Sequence, residues 1–426
     1  MKIGVIIGRI GGVDGVALET EKWIDVLQKM GHEIFIISGQ FEGRKIDCKH
    51  ETRVQEMSFF SPESYWEQKK AFFHPDIDQD ELLEHIHLYA NVIEDKITTW
   101  VNTHKIDLLL SENASALPSH ISMGLAIQQT AEKLAIPVIT HDHDFAWERG
   151  NRYVSPHPRI NDLVNDIFPL RLKNSVHAVI NLHAQHTLKV RFNRKSVVVP
   201  NVMDFTKPYA EITNNNNDLR KDLALSDDDI LLFQITRIVQ RKGIEAAIEL
   251  IHKLENNHIK LVISGNYADD AGSIYYMQLV DLIHELKLSK QVHFAYHSFS
   301  TKGASSANGE KLYSLSDAYA HARACTYFST YEGFGNAFVE AILAKRPIFV
   351  NNYKPVYWPD IGSKGFKAVM LEDNVITDKA LSEIKEVIYD DKINKEVAEF
   401  NFDLGKKYFS YDTLEEKLTQ LIELVK

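Results

Sequence analysis

Short apolar runs at Ile3–Ile7, Ile34–Ile37, Asp107–Leu110 and Val138–Thr140 alternate along the chain with amphipathic segments long enough to form helices. This alternation constrains the fold most, because strands that read as continuous apolar runs must be covered on both faces, and helices in the crossovers supply that cover. It predicts parallel α/β architecture. In the first crossover Val16, Trp23, Ile24 and Leu27 recur at helical spacing, and Gly31 stands where a C-terminal glycine ends the helix before the second strand. The same rhythm restarts near Ile230, where ILLFQIT leads through a basic turn into a helix from Gly243 to Leu254 and a strand from Lys260 to Ser264. No internal sequence repeat accompanies the restart.

At 426 residues the chain exceeds the size at which one core divides, so two domains are expected. Between the two runs lie VVVPNVMDF (Val197 to Phe205) and a polar stretch, Thr213 to Asp218, with four consecutive asparagines, which is the best linker candidate. The segment His50 to Asn102 is rich in aromatics, including Phe59, Phe60, Tyr65, Trp66, Phe72 and Phe73, and fits the rhythm poorly. It reads as an elaboration of the first domain whose aromatics mainly pack. The last twenty residues carry Phe409, Leu414, Leu418, Leu421 and Ile422 at helical spacing and predict a closing amphipathic helix.

A formal net charge of -11 argues against a nucleic-acid partner or a broad basic face held on anionic lipid, so a small anionic ligand needs a local cationic pocket. Cys48 and Cys325 are too few for a disulfide framework or a cysteine metal site and fit a reducing compartment. The opening MKIGVIIGRIGG is far shorter in its apolar run than a signal-peptide core or a membrane span. A cytoplasmic protein with no stable membrane anchor is expected, and the formal sequon at Asn113 then carries no glycan. The oligomeric state is open.

Three stretches carry candidate chemistry. Gly11, Gly12, Val13, Asp14 and Gly15 follow a strand and open a helix, which lets backbone N–H groups and the positive helix end approach an anion, although a purely structural turn looks the same and the spacing is not that of a dinucleotide fold. Thr236 to Gly243, TRIVQRKG, also joins a strand to a helix, and Arg237 and Lys242 there suit a diphosphate, the guanidinium as a fork and the ammonium as a point charge. Taken alone it is equally a solvated basic turn. Glu332 and Glu340 stand eight apart in STYEGFGNAFVEAILA (Ser329 to Ala344), in a loop that becomes helix by Phe338 to Leu343. A carboxylate pair at that spacing is usually a solvated helix face.

Taken in order, RIVQRKG, YEGFGNAFVEA with its two glutamates, and AKRPIFV resemble family 4 of the retaining glycosyltransferases, of the GT-B type. The resemblance spans most of the chain and includes the glycine turn, the phrase VPNVMD and the terminal helix. It implies two Rossmann-like domains facing a cleft: residues 1–205 for the acceptor, 206–405 for the nucleotide sugar, and 406–426 as a helix crossing back to the first domain. Arg237 and Lys242 are implied to hold the diphosphate and act as the main catalytic cations, where electrostatic preorganisation helps most. Glu332 is implied to contact the transferred sugar and Glu340 the ribose hydroxyls, while the Gly333, Phe334, Gly335, Asn336 and Ala337 loop binds phosphate at a helix start. Gly11 and Gly12 are implied to face donor phosphate or acceptor. The family histidine, six residues after a proline, falls on His143 counted from Pro137, in preference to His141, and orients the sugar or acceptor near the anomeric carbon. Asp144, Arg149 and Arg152 follow in that loop, and the two arginines suit an anionic acceptor. Val202 and Lys345 replace glycines common in the family. GNAFVEA, NNYKPVYWPDIG and HDHDFAWERGNR resemble members that build small soluble glycosides of the mannosylglucosylglycerate type.

The implied reaction moves a hexose from GDP-mannose or UDP-glucose to a small soluble, anionic acceptor, with no cofactor or metal beyond the nucleotide sugar. No carboxylate nucleophile is evident, which fits front-face attack in which the leaving phosphate takes the acceptor proton. Two rivals stand beside it. A metal-dependent transferase would use a D-x-D pair, formally present as Asp142, His143, Asp144 and as Asp76, Ile77, Asp78, and the alternating His141 and His143 would need further ligands to hold zinc. A nucleotide-sugar epimerase of related two-domain fold would need no acceptor.

Overall fold

In the computed structural model, which describes residues 1–267, 270–300, 304–305 and 311–425, the predicted alternation is realised twice. Met1–Val202 and Tyr411–Lys426 form one unit, and Met203–Ser410 form the other.

The first unit opens with β1 (Lys2–Ile10), α1 (Gly15–Lys29), β2 (Glu33–Phe41) and β3 (His50–Arg53). It continues through α2 (Pro62–Gln68), a π turn (Lys69–Phe73), α3 (Gln79–His104), β4 (Leu108–Glu112), α4 (Ile121–Leu134) and β5 (Val138–Asp142). Then come α5 (Pro158–Ile167), β6 (Ser175–Val179), α6 (Leu182–Phe192) and β7 (Ser196–Val198). The seven strands are ordered β3-β2-β1-β4-β5-β6-β7, and all neighbours pair in parallel. One face buries Trp23, Ile24 and Leu27 of α1 against Val5, Ile34 and Ile36; the other buries Ile86, Ile93 and Ile97 of α3 against Ile6, Ile37 and Leu109.

The second unit contains α7 (Leu219–Asp222), β8 (Ile230–Gln234), α8 (Ile244–Leu254), β9 (Ile259–Ile263), α9 (Asp270–Glu285) and β10 (Val292–Phe294). A two-stranded ribbon follows, β11 (Ala304–Ser305) with β12 (Lys311–Leu312), and then α10 (Leu315–His321), β13 (Ala324–Tyr327), α11 (Asn336–Leu343) and β14 (Ile348–Asn351). It closes with β15 (Val369–Leu371), α12 (Asp378–Tyr389) and α13 (Asp391–Tyr408). Its parallel sheet is ordered β10-β9-β8-β13-β14-β15, the same order reversal beside the first strand. The chain then returns to the first unit as α14 (Tyr411–Val425), whose Leu414, Leu418, Leu421 and Ile422 complete the α1 face of that core.

Three expectations change. The segment from His50 to Asn102 is no mere elaboration: it supplies the edge strand β3 and the 26-residue helix α3. The polar HETR of an exposed edge carries no apolar run to announce a strand. Phe409 does not belong to the closing helix; α13 ends before it, and its ring is buried in the second unit, 5.6 Å from that of Phe334 and stacked 5.7 Å from that of Phe366. The asparagine run is not a free linker either. Asn216 is buried and donates from Nδ2 to Asp317 Oδ1 at 2.6 Å and to the Glu211 carbonyl at 2.9 Å, so its amide serves as a structural pin inside the second unit. Among the described residues no helix is long and apolar enough to cross a membrane.

Candidate active site

In an open parallel sheet, ligands bind beyond the carboxyl ends of strands where the strand order reverses. In the second unit that point lies between β8 and β13. The loop after β8 carries Arg237 and, in a 3-10 turn over Gln240–Lys242, Arg241 and Lys242; the loop after β13 carries Glu332 and runs into α11. The two loops are stitched together by the Thr330 N–H donating to the Arg241 carbonyl at 2.8 Å and by Arg241 Nη1 donating to the Tyr331 carbonyl at 2.9 Å.

Lys242 and Glu332 are each only 9% exposed. The Lys242 ammonium donates to Glu332 Oε1, and Arg241 Nη1 donates to Oε2 at 2.9 Å. Burial alone would raise the Glu332 carboxyl, but the charges of Lys242 and Arg241 hold it below the usual glutamate range. Burial, against the pull of Glu332, and then the like charges of Arg241 and Arg237 press the Lys242 ammonium below its ordinary value. Two cations thus engage one carboxylate while a third, Arg237, acts on Lys242, an excess of positive charge that suits an anion. Both oxygens of Glu332 are engaged by these cations, so in this structure it orients them and does not present a free carboxylate.

Gly335 lies at φ 125, in the region that favours glycine, and a Cβ there would meet the Tyr353 hydroxyl at 2.2 Å. That hydroxyl donates to the Phe334 carbonyl at 2.9 Å, which fixes the loop just ahead of α11. The helix begins at Asn336 with no side-chain cap, so the positive dipole end at its first turn, which includes Ala337, favours an anion. Gly333 is half-buried in this loop and Phe334 is buried in the core. Glu340 stands in the second turn of α11 and accepts from the Tyr319 hydroxyl at 3.0 Å, so the two glutamates serve different places: Glu332 ahead of the helix, Glu340 on it.

The first unit has its own reversal between β1 and β4. Gly11 and Gly12 follow β1, but the turn at residues 42–44 packs on them: a Cβ on Gly12 would meet Glu42 Oε2 at 1.9 Å, and Arg44 Nε donates to the Gly11 carbonyl at 3.1 Å. At Gly11, where a Cβ would meet the Glu42 carbonyl oxygen at 2.2 Å, close backbone packing accounts for the glycine; at Gly12 the contact is the end of the Glu42 side chain. At the end of β4 the Asn113 side chain accepts from the His143 N–H at 3.1 Å and donates to Asp144 Oδ1 at 3.1 Å, which sets the loop after β5. Asp144, Arg149 and Arg152 line a pocket of about 920 Å³ that also takes in Arg9 and Asp14.

His143 Nε2 is buried with no hydrogen-bond partner among the described residues. Burial first, then the neighbouring His141, pushes its imidazole down to about 3, so it is neutral at pH 7. The His141 ring is sandwiched, its centroid 3.9 Å from that of Trp23 and 4.2 Å from that of His143. Its Nδ1 lies 2.9 Å from Glu112 Oε2, which also accepts from Thr20 Oγ1 at 3.0 Å. Burial raises the Glu112 carboxyl to about 8 and lowers His141 to about 4, which leaves both uncharged at neutral pH. Glu112, His141 and His143 place one ligand atom each within 4.8 Å of one another and form a group able to hold a metal ion, and Glu112 is the third ligand that the sequence did not reveal. In the structure hydrogen bonds and ring stacking hold this group together.

The acids of both D-x-D pairs already have protein partners. Asp142 is fully buried, accepting from Thr140 Oγ1 at 2.8 Å and lying 2.8 Å from His177 Nδ1, whereas Asp144 faces Asn113 and Arg149. Asp78 caps α3 by accepting from the Asp80 N–H at 2.8 Å, and Asp76 accepts from Lys70 Nζ at 2.7 Å. Sequence reasoning passed over Arg241, although it adjoins Lys242 in RIVQRKG, and Glu112, although it ends the apolar run of β4. It had no signal for Arg9, 135 residues away from Asp144 in sequence.

Residues 215–401 match the family described as glycosyl transferases group 1. Over almost its whole length the chain is similar to two mannosylglucosylglycerate synthases. That of Thermotoga maritima is 31% identical over 456 residues, covering 99% of each chain, and that of Petrotoga mobilis is 29% identical over 436 residues, covering 96% of this chain and 98% of the relative. Among solved structures, a glycosyltransferase from Rickettsia africae superimposes with a TM-score of 0.67 at 15% identity over 100% of this chain and 98% of the other. HepE from Anabaena, in complex with UDP and glucose, gives 0.65 at 14% identity over 99% of each. Fold and comparisons define a glycosyltransferase of GT-B fold. The chain belongs to the glycosyl transferases group 1 family.

Proposed function

We propose that the protein transfers a mannosyl group, with retention, from GDP-mannose to glucosylglycerate. The observation that carries the donor half is the cluster at the β8 and β13 ends, where Arg241 and Lys242 engage the single carboxylate of Glu332 and Arg237 adds a third positive charge acting on Lys242. A diphosphate supplies the missing negative charge, and the positive dipole end at the uncapped start of α11 favours it. Glu340 holds the ribose hydroxyls. The acceptor half follows the names of the two relatives, whose product divides into a mannosyl group and glucosylglycerate. The second unit takes the donor and the first unit the acceptor.

In this scheme the bond from the anomeric carbon to the phosphate oxygen breaks, the acceptor hydroxyl adds from the same face, and its proton passes to the departing phosphate. Lys242 and the two arginines stabilise the charge that develops on that phosphate, the place where fixed charges lower a barrier most. Neutral His143 offers a hydrogen bond to the sugar near the anomeric carbon. No cofactor beyond the nucleotide sugar takes part.

Incubation with GDP-mannose and glucosylglycerate tests this, with nucleotide release and product followed by proton NMR. An α-linked mannosyl product from the α-linked donor is expected. HepE was solved with UDP and glucose, so UDP-glucose is the second donor to try. Release of free mannose or an epimerised sugar with acceptor present, and no glycoside, overturns the proposal.

A further inference from the structure

The pocket of the first unit holds more positive charge than its own carboxylates balance. Its walls carry four cationic side chains, Arg9, Lys69, Arg149 and Arg152, against two carboxylates, Asp14 and Asp144, in a chain whose net charge is -11. Both carboxylates are already matched. Arg9 Nε lies 3.3 Å from Asp14 Oδ2, and Arg149 Nε donates to Asp144 Oδ2 at 2.5 Å. Lys69 and Arg152 have no carboxylate partner among the described residues.

Both of these cations line the pocket. The Arg152 guanidinium lies 5.6 Å from the ring centres of Phe73 and Tyr153, and Phe73 stands one π turn along from Lys69, so both project from the same side of that backbone. Phe60 and Tyr65 line the same cavity yet are 66% and 69% exposed. The Arg9 guanidinium covers one face of the Phe60 ring, 5.4 Å from its centre, and exposed aromatic rings gathered in one pocket suit the apolar C–H face of a sugar ring.

We infer that Lys69 and Arg152 bind the carboxylate of an acidic glycoside while Phe60 and Tyr65 carry its sugar ring, so that this pocket selects anionic over neutral acceptors. Arg149 is not the anion-binding arginine, because Asp144 already neutralises it. The inference rests on the proposed acceptor class, but binding and transfer are separable.

Titration calorimetry without donor compares glucosylglycerate with its methyl ester on the full-length wild type, K69A and R152A. Loss of one charge-assisted hydrogen bond weakens binding by about tenfold or more. Wild type is expected to bind the acid at least that much better than the ester, and each variant to lose most of the preference while binding the ester as wild type does. Lys69 and Arg152 are exposed, so the variants should melt with the wild type, and a melting scan verifies this. Equal binding of acid and ester by wild type, no binding of the acid, or a preference that survives both substitutions overturns the inference. Selective binding without any hexose transfer leaves it standing and refutes the reaction proposed above.

Discussion

Replacing Glu332 by glutamine probes the donor cluster through stability before any substrate is added. The carboxylate is 9% exposed and accepts from both Lys242 and Arg241, and Lys242 is equally buried. Removing one partner of a buried pair costs about 3–5 kcal/mol, because the other charge stays buried without compensation. The low end applies, since the amide oxygen still accepts one hydrogen bond and Arg241 reaches solvent. For a unit of this size each kcal/mol lowers the midpoint by about 2–4 °C, so the second unit's calorimetric transition should fall by roughly 6–12 °C. Added GDP should restore more of that loss in the variant than it adds to wild type, because its phosphates take the place of the missing carboxylate. The acid dependence has a definite sign. The folded pKa of Glu332 lies below its ordinary 4.5, so the pair's contribution is present above pH 4.5 and fades as pH falls through the lowered value; the gap between wild type and variant narrows there. A drop under about 2 °C, with GDP stabilising both proteins alike, refutes the reading of Glu332 as counterion to the phosphate-binding cations.

Lys242→Ala should lower kcat about a hundredfold or more in a nucleotide-release assay, the range for losing one preorganised charge on a developing anion. Glu340→Gln should instead act mainly on the donor KM, by about tenfold, as loss of hydrogen bonds from a charged acceptor does; wild-type kinetics in both variants would dismiss the donor site. His143 is held down at about 3, so its protonation should give kcat/KM no inflection near pH 6.5, and an acid limb there that vanishes in His143→Ala contradicts its neutral role. Glu112, raised to about 8, should introduce a change near that pH which Glu112→Gln abolishes. Its folded pKa exceeds 4.5, so its contribution to stability is complete below pH 4.5 and declines up to about 8. Turnover should survive EDTA and dialysis, and stoichiometric metal lost together with activity would assign the Glu112, His141 and His143 group a catalytic ion.

Much of the architecture was legible because it depends on local pattern. Apolar runs separated by amphipathic helices specify parallel strands wherever they occur, and ILLFQIT with its basic turn became β8 and the 3-10 turn ahead of α8. What escaped was polar or exceptional. β3 has no apolar run, and Phe409 kept the helical spacing of its neighbours but lies beyond the end of α13, in the core of the second unit.

The sequence by itself determined the α/β class, the two starts of the strand and helix rhythm, and the order of the basic turn, the glycine loop and the glutamates, since each is carried by neighbouring residues. Only the tertiary structure decided which charges are already spent. Glu332 finds Lys242 and Arg241 across 90 and 91 positions because strand order places β8 beside β13, and no local pattern encodes that pairing. Equally, RGNR reads as two interchangeable arginines, until the fold sets Arg149 on Asp144 and leaves Arg152 over Phe73, lining one pocket with a lysine from a segment far upstream. Partner choice follows approach in space, and approach is a property of the assembled sheets.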